Sequence, residues 1–184
     1  MTFVTAEALA AALPHVLAAP KDAGPIASLC FRPGFNLREF PQSLTLTQGA
    51  GIPGERWLTH SWLRLADGSP DPRIQVSILP TRVCDLVWRD RTHTPHPGDT
   101  IVADLDMSEA NLPDGTVLQA GTALLQVSSV FNDGCVKWKA RYGAAAKAWI
   151  AAPGHPTLRL RGVLCAVVLD GVVTLADRII RRQG

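Results

Sequence analysis

Phe131-Asn132-Asp133-Gly134-Cys135-Val136-Lys137-Trp138-Lys139-Ala140-Arg141-Tyr142-Gly143 is the stretch around which the rest of the chain is read. A strand is predicted before it, over 123–130. After Cys135 the pattern is helical, with no Pro and no Gly before Gly143. Cys135 is thus placed where a loop enters a helix. A thiol there meets unpaired backbone N–H groups and the positive end of the helix dipole. Lys137, Lys139 and Arg141 add positive charge, and both effects favour the thiolate, the form that acts as nucleophile and metal ligand. Helical spacing sets Cys135 in line with Trp138, Lys139 and Tyr142, and pairs Lys137 with Arg141 on a different face. A buried, inert cysteine with a solvated basic face behind it would satisfy the same local pattern.

Working outward, short strands alternate with Gly/Pro turns. Strands are predicted over 26–31, 43–47, 74–79, 100–105, 116–119, 123–130, 158–169 (broken near Gly162) and 172–175. Asp170-Gly171 suits a two-residue hairpin between the last two. A short helix capped by Thr5 and limited by Pro14 is predicted at the start, and another, capped by Thr81, through Val83, Leu86 and Val87. With the Cys135 helix this makes about eight strands and three helices, the pattern of a β-barrel or sandwich. One domain over 1–184 is expected, with residues 1–25 as helix and linker and 26–180 as barrel core.

The Gly/Pro-rich region 48–71 is long for a loop, and long loops in compact domains tend to be functional. Arg56 in it could grip phosphate or carboxylate, or tie the loop down through an internal ion pair. Trp57 and Trp62 read as packing residues. His93 and His96 read as solvated loop histidines with no third metal ligand nearby.

Apolar residues make up 47% and charged residues 18% of the 184, a globular composition. A net charge of +2 is too mild to suggest a nucleic-acid partner. Arg178, Arg181 and Arg182 read as a solvated tail. Of the four cysteines, Cys30, Cys84 and Cys165 lie in apolar runs and read as core. No zinc spacing or C-x-x-C occurs, and an even cysteine count is no evidence for disulfides in a chain this size, so a reducing, cytoplasmic compartment is expected. Neither a signal peptide nor a transmembrane run is predicted, and no membrane partner is expected.

The central stretch resembles the cysteine signature of the MOSC family, named for the C-terminal domain of molybdenum cofactor sulfurase. That signature has Cys, Lys two residues later, then Ala-Arg-Phe/Tyr-Gly; here these are Cys135, Lys137 and Ala140-Arg141-Tyr142-Gly143. In matching order, Gly54-Glu55-Arg56-Trp57 resembles Gly-Asp-Arg-His/Trp, and Gln75 to Leu79 resembles the Gln-Val strand. Pro97-Gly98-Asp99 resembles Gly-Glu-Asn, Asp104 to Ser108 resembles Leu-Asp-Leu-Ser, and Leu160 to Val163 resembles Arg-Gly-Val. Departures are Trp57 where His often stands, Thr100 for Asn, and Asn132-Asp133 before the Cys.

The resemblance, to a small stand-alone bacterial-type member, implies a closed, distorted β-barrel like the barrel domain of pyruvate kinase, with about three peripheral helices. It implies molybdenum cofactor (molybdopterin) held by Arg56, Asp99, Asn132, Lys137, Lys139 and Arg141, with Cys135 as molybdenum ligand or persulfide carrier. It implies reduction of N-hydroxylated compounds or sulfur transfer, with electrons or sulfur supplied by a separate protein. A non-catalytic barrel binding an anionic ligand or a partner is the competing reading.

Overall fold

The computed structural model describes residues 3–182. In chain order the elements are α1 (Ala6–Leu17), β1 (Gly24–Leu29), β2 (Ser43–Leu46), α2 (Trp57–His60), β3 (Val76–Pro80), α3 (Thr81–Val87), β4 (Ile101–Ala103), β5 (Val117–Ala120), β6 (Ala123–Val127), α4 (Val136–Ile150), β7 (Val163–Leu169), β8 (Gly171–Thr174) and β9 (Arg178–Arg181). Seven strands close a barrel in the order β1-β4-β3-β7-β6-β5-β9, with β9 pairing back onto β1. Only β3–β4 is parallel, because the crossover through α3 brings the chain back in the same direction. This is the closed barrel, mainly β with α, that the resemblance implies, with four helices where about three are predicted.

Two cores hold it. Alternate residues such as Val76, Ile78, Ile101, Ala103, Leu118 and Leu125 fill the barrel interior. On the outside of β3 and β4, Leu79 and Val102 meet a helical layer of α1, α3 and α4, with Leu9, Val83, Trp138, Tyr142 and Ile150 between them. Both strands are therefore buried along their whole length, as strands covered on two sides must be. Each such Leu or Ile contributes about 1.5–3 kcal/mol by leaving water.

Several predicted details change. Thr5 caps α1 by accepting the Ala8 N–H at 3.2 Å, but Pro14 does not end the helix, which runs on to Leu17 with Val16 buried in the helical layer. Pro80 takes the cap position of α3, and Thr81 is its first helical residue. Asp170-Gly171 does not make a hairpin. β7 already pairs with β3 on one edge and β6 on the other, so the following strand has no edge to join. The chain instead crosses to β2, and β2–β8 forms a separate two-stranded sheet. The terminal arginines are not a tail: Arg178–Arg181 is the strand that closes the barrel, with Ile179 fully buried.

Candidate functional site

Cys135 is the N-terminal cap residue of α4, and it is exposed. Its carbonyl accepts the Trp138 N–H at 3.0 Å, while its side chain makes no capping bond and stays available. What precedes it is fixed by packing. A Cβ on Gly134 would lie 2.4 Å from Ile150 Cδ1 and 3.0 Å from Trp138 Cδ1. In a straight helix residues 134 and 150 would be about 24 Å apart. They meet because α4 is kinked at Gly143, whose φ of 94° and ψ of 166° are non-helical and suit only glycine. Beneath the first half of the helix, Trp138 and Tyr142 are buried with ring centroids 4.8 Å apart. The Tyr142 hydroxyl donates to the Pro95 carbonyl at 2.9 Å, pinning the helix to the 95–99 segment.

The helix start forms one wall of a cleft of about 450 Å³. Cys135, Lys137, Trp138, Arg141 and Tyr142 all line it, together with Arg32, Arg38, Arg56, Asn132 and Arg161. The Lys137–Arg141 pair, expected on a different face, thus borders the same cavity as Cys135, Trp138 and Tyr142, since positions 137–138 and 141–142 are neighbours on the helix surface. Lys139 is exposed and does not line the cleft. Asp99 lies in an adjoining lobe of about 150 Å³, with Glu55 and His60.

The cleft is strongly cationic. Arg32 pairs with buried Glu55, whose other oxygen accepts the Trp57 N–H at 3.3 Å. Arg161 donates to buried Asp99 at 2.8 Å and lies 4.6 Å from the Trp138 ring centre. Asn132 does not face the cleft as a free group alone: its amide donates to the Arg161 carbonyl at 3.0 Å. The remaining four cations, Arg38, Arg56, Lys137 and Arg141, have no carboxylate partner among the described residues. Arg56 makes no internal ion pair; its guanidinium sits 4.7 Å from the Phe35 ring centre, and Lys137 Nζ lies 5.1 Å from the same centre. Burial lowers the Arg38 pKa, and the Arg141 charge lowers it further. The floor at Gly98 has φ of 89°, and a Cβ there would come within 3.2 Å of Arg38 Nε.

Sequence reasoning missed Arg32 and Arg38, which lie between the strands predicted over 26–31 and 43–47, and Arg161, quoted for its strand and not for its charge. Trp57 is buried as expected, whereas Trp62 is 68% exposed at the cleft rim. His93 is exposed and bonded to Asp90. His96 is not solvated: it is buried between Trp88 and Phe40, with ring centroids 4.9 and 5.1 Å away. No group of three metal-binding side chains exists among the described residues. A cysteine-ligated metal would therefore have to bring its remaining ligands with it.

No protein-family model matches this sequence, and no curated protein matches it. Solved structures do share the fold. The YuaD protein from Bacillus subtilis superposes with a TM-score of 0.62 at 19% identity, covering 88% of this chain and 97% of its own. YiiM from Geobacillus stearothermophilus gives 0.58 at 16% identity, covering 87% and 75% respectively. YiiM from Escherichia coli gives 0.56 at 16% identity, covering 86% and 70%.

Proposed function

We propose that this MOSC-like barrel binds molybdenum cofactor in its cationic cleft, with Cys135 as the sulfur ligand to the metal or as the carrier of a persulfide sulfur. One observation carries the reading: four cations without carboxylate partners converge with the exposed thiol on a single cavity. The chemistry of the donors fits. A pterin cofactor ends in a phosphate, and guanidinium groups match phosphate oxygens in a bidentate fork. A thiolate is a soft ligand suited to such a metal. Arg38 Nε is buried without a hydrogen-bond partner, a donor that an anion in the cleft would satisfy.

In this reading Arg38, Arg56, Lys137 and Arg141 hold the anionic part of the cofactor. Asn132 and the Asp99–Arg161 pair keep the floor in place. When bound, the cofactor supplies a molybdenum centre for reducing N-hydroxylated compounds. Cys135 supplies the thiolate that would ligate the metal, or that would attack the outer sulfur of a donor protein's persulfide, breaking that S–S bond and releasing the donor cysteine as its thiolate. Electrons or sulfur come from a separate protein.

The test is expression in a host that makes molybdenum cofactor, followed by measurement of bound molybdenum and sulfane sulfur. Wild type should carry one or both, and Cys135→Ala should lose them while melting at an unchanged temperature. Equal contents in the two proteins would reject the proposal and leave an anion-binding module without catalytic chemistry.

A further inference from the structure

Among the described residues, six large apolar side chains are at least half exposed; four of them stand at this one cleft, and a fifth belongs to the first turn of the helix that walls it. Leu37, Trp62 and Phe131 line it. Phe35 stands between Arg56 and Lys137. Val136, at 85% exposure, is the first residue of the helix whose start walls the cleft. They come from three separate segments (35–37, 62 and 131–136), so no single amphipathic helix or strand announces them in the sequence. Contiguous apolar surface ringed by charge marks an interaction site.

We infer that the cleft mouth docks onto an anionic lipid surface, the apolar rim entering the headgroup layer and the cations meeting lipid phosphates. Aromatic side chains beside Lys and Arg are the usual anchors at that depth, and basic residues near an anionic leaflet each add attraction. Concavity favours lipid over a protein partner. A flat, rigid protein face would bridge the mouth and strand the cleft cations away from water without partners, which is costly. Lipid headgroups deform and carry anions to them. Asp133 is an exposed carboxylate at the rim, and it is paired with Lys147 at 3.5 Å. No helix among the described residues is long and apolar enough to cross a membrane; the inference is of attachment at the surface. It concerns the protein whose cleft holds no cofactor, since Arg38, Arg56, Lys137 and Arg141 cannot grip a cofactor phosphate and lipid phosphates at once.

The experiment is co-sedimentation with phosphatidylcholine vesicles, with and without a one-third share of phosphatidylglycerol. Wild type should bind the anionic vesicles and not the neutral ones, and brominated lipid should quench fluorescence that is absent in Trp62→Phe. Val136→Asp should weaken binding by about tenfold or more. It leaves the helix intact, because an acidic residue suits the first turn. Leu17→Ser, on α1 away from the mouth, should bind as wild type. No binding to anionic vesicles would overturn the inference and leave the rim to a protein partner. Binding that Val136→Asp does not weaken, or that gives no Trp62 quenching, would overturn it as non-specific adsorption. These readouts do not involve molybdenum, so they stand or fall separately from the cofactor proposal.

Discussion

Burial pushes the Cys30 thiol up to about 11 and the Cys84 and Cys165 thiols up to about 12. Each is enclosed by apolar neighbours that disfavour the thiolate. Cys135 alone is exposed. Alkylation of the native protein near neutral pH should therefore label Cys135, to about one equivalent, with the other three reacting only after denaturation. Labelling of any of those three in the native state would contradict this ordering. The cysteines were legible in sequence because their flanks differ in polarity. His93 is exposed as expected, but the burial of His96 was not legible, because part of what encloses it is remote in the chain: Trp88 is near, whereas Phe40 lies far upstream. Burial lowers its pKa to about 4, below the unfolded value of about 6.5. The unfolded chain then binds the extra proton first, so stability falls as pH drops from about 6.5 towards 4 and is fully retained above 6.5. The loss amounts to roughly 3 kcal/mol. Melting curves across that range should show this slope in wild type and a shallower one in His96→Phe.

At the scale of elements, two glycines with positive φ separate conformational strain from collision. Gly115 has φ of 86° with nothing near a would-be Cβ, whereas Gly162 has φ of 83° and a Cβ there would lie 1.9 Å from the Ile78 carbonyl oxygen. Gly115→Ala should cost about 1 kcal/mol, from strain alone. Gly162→Ala must also push β7 off β3 and should cost roughly 3 kcal/mol or more. Denaturant midpoints of the two variants, compared with wild type, measure the difference. Periodicity and turn residues located most strands to within a few residues, because both are local properties. They failed where partner choice decides. Asp170-Gly171 carries turn chemistry, yet Gly171 is already the first residue of β8, because a strand leaving β7 finds both edges occupied. Ile179-Ile180 carries a strand pattern, but flanking arginines made it look solvated until pairing with β1 and β5 was seen.

For the whole molecule, a net charge of +2 conceals a concentration of positive charge on one cavity. Inorganic phosphate should therefore raise the melting temperature more than chloride at equal ionic strength, and Arg56→Ala should remove most of that difference. An equal shift in both salts, or in both proteins, would mean that the cleft does not select anions. Arg56, Lys137, Arg141 and Cys135 could be named beforehand because two stretches of sequence carry them. Arg32, Arg38 and Arg161 could not, since only closure of the barrel brings their segments to the same mouth. That closure also orders events in time. β1 spans 24–29, and the strand that seals it spans 178–181. During synthesis β1, and later β5, emerge from the ribosome with an unpaired edge that persists until almost the entire sequence described here has been translated. Such an edge is a template for pairing with other chains. The nascent protein must therefore be shielded, by a chaperone or by transient local contacts, for nearly the full duration of its translation.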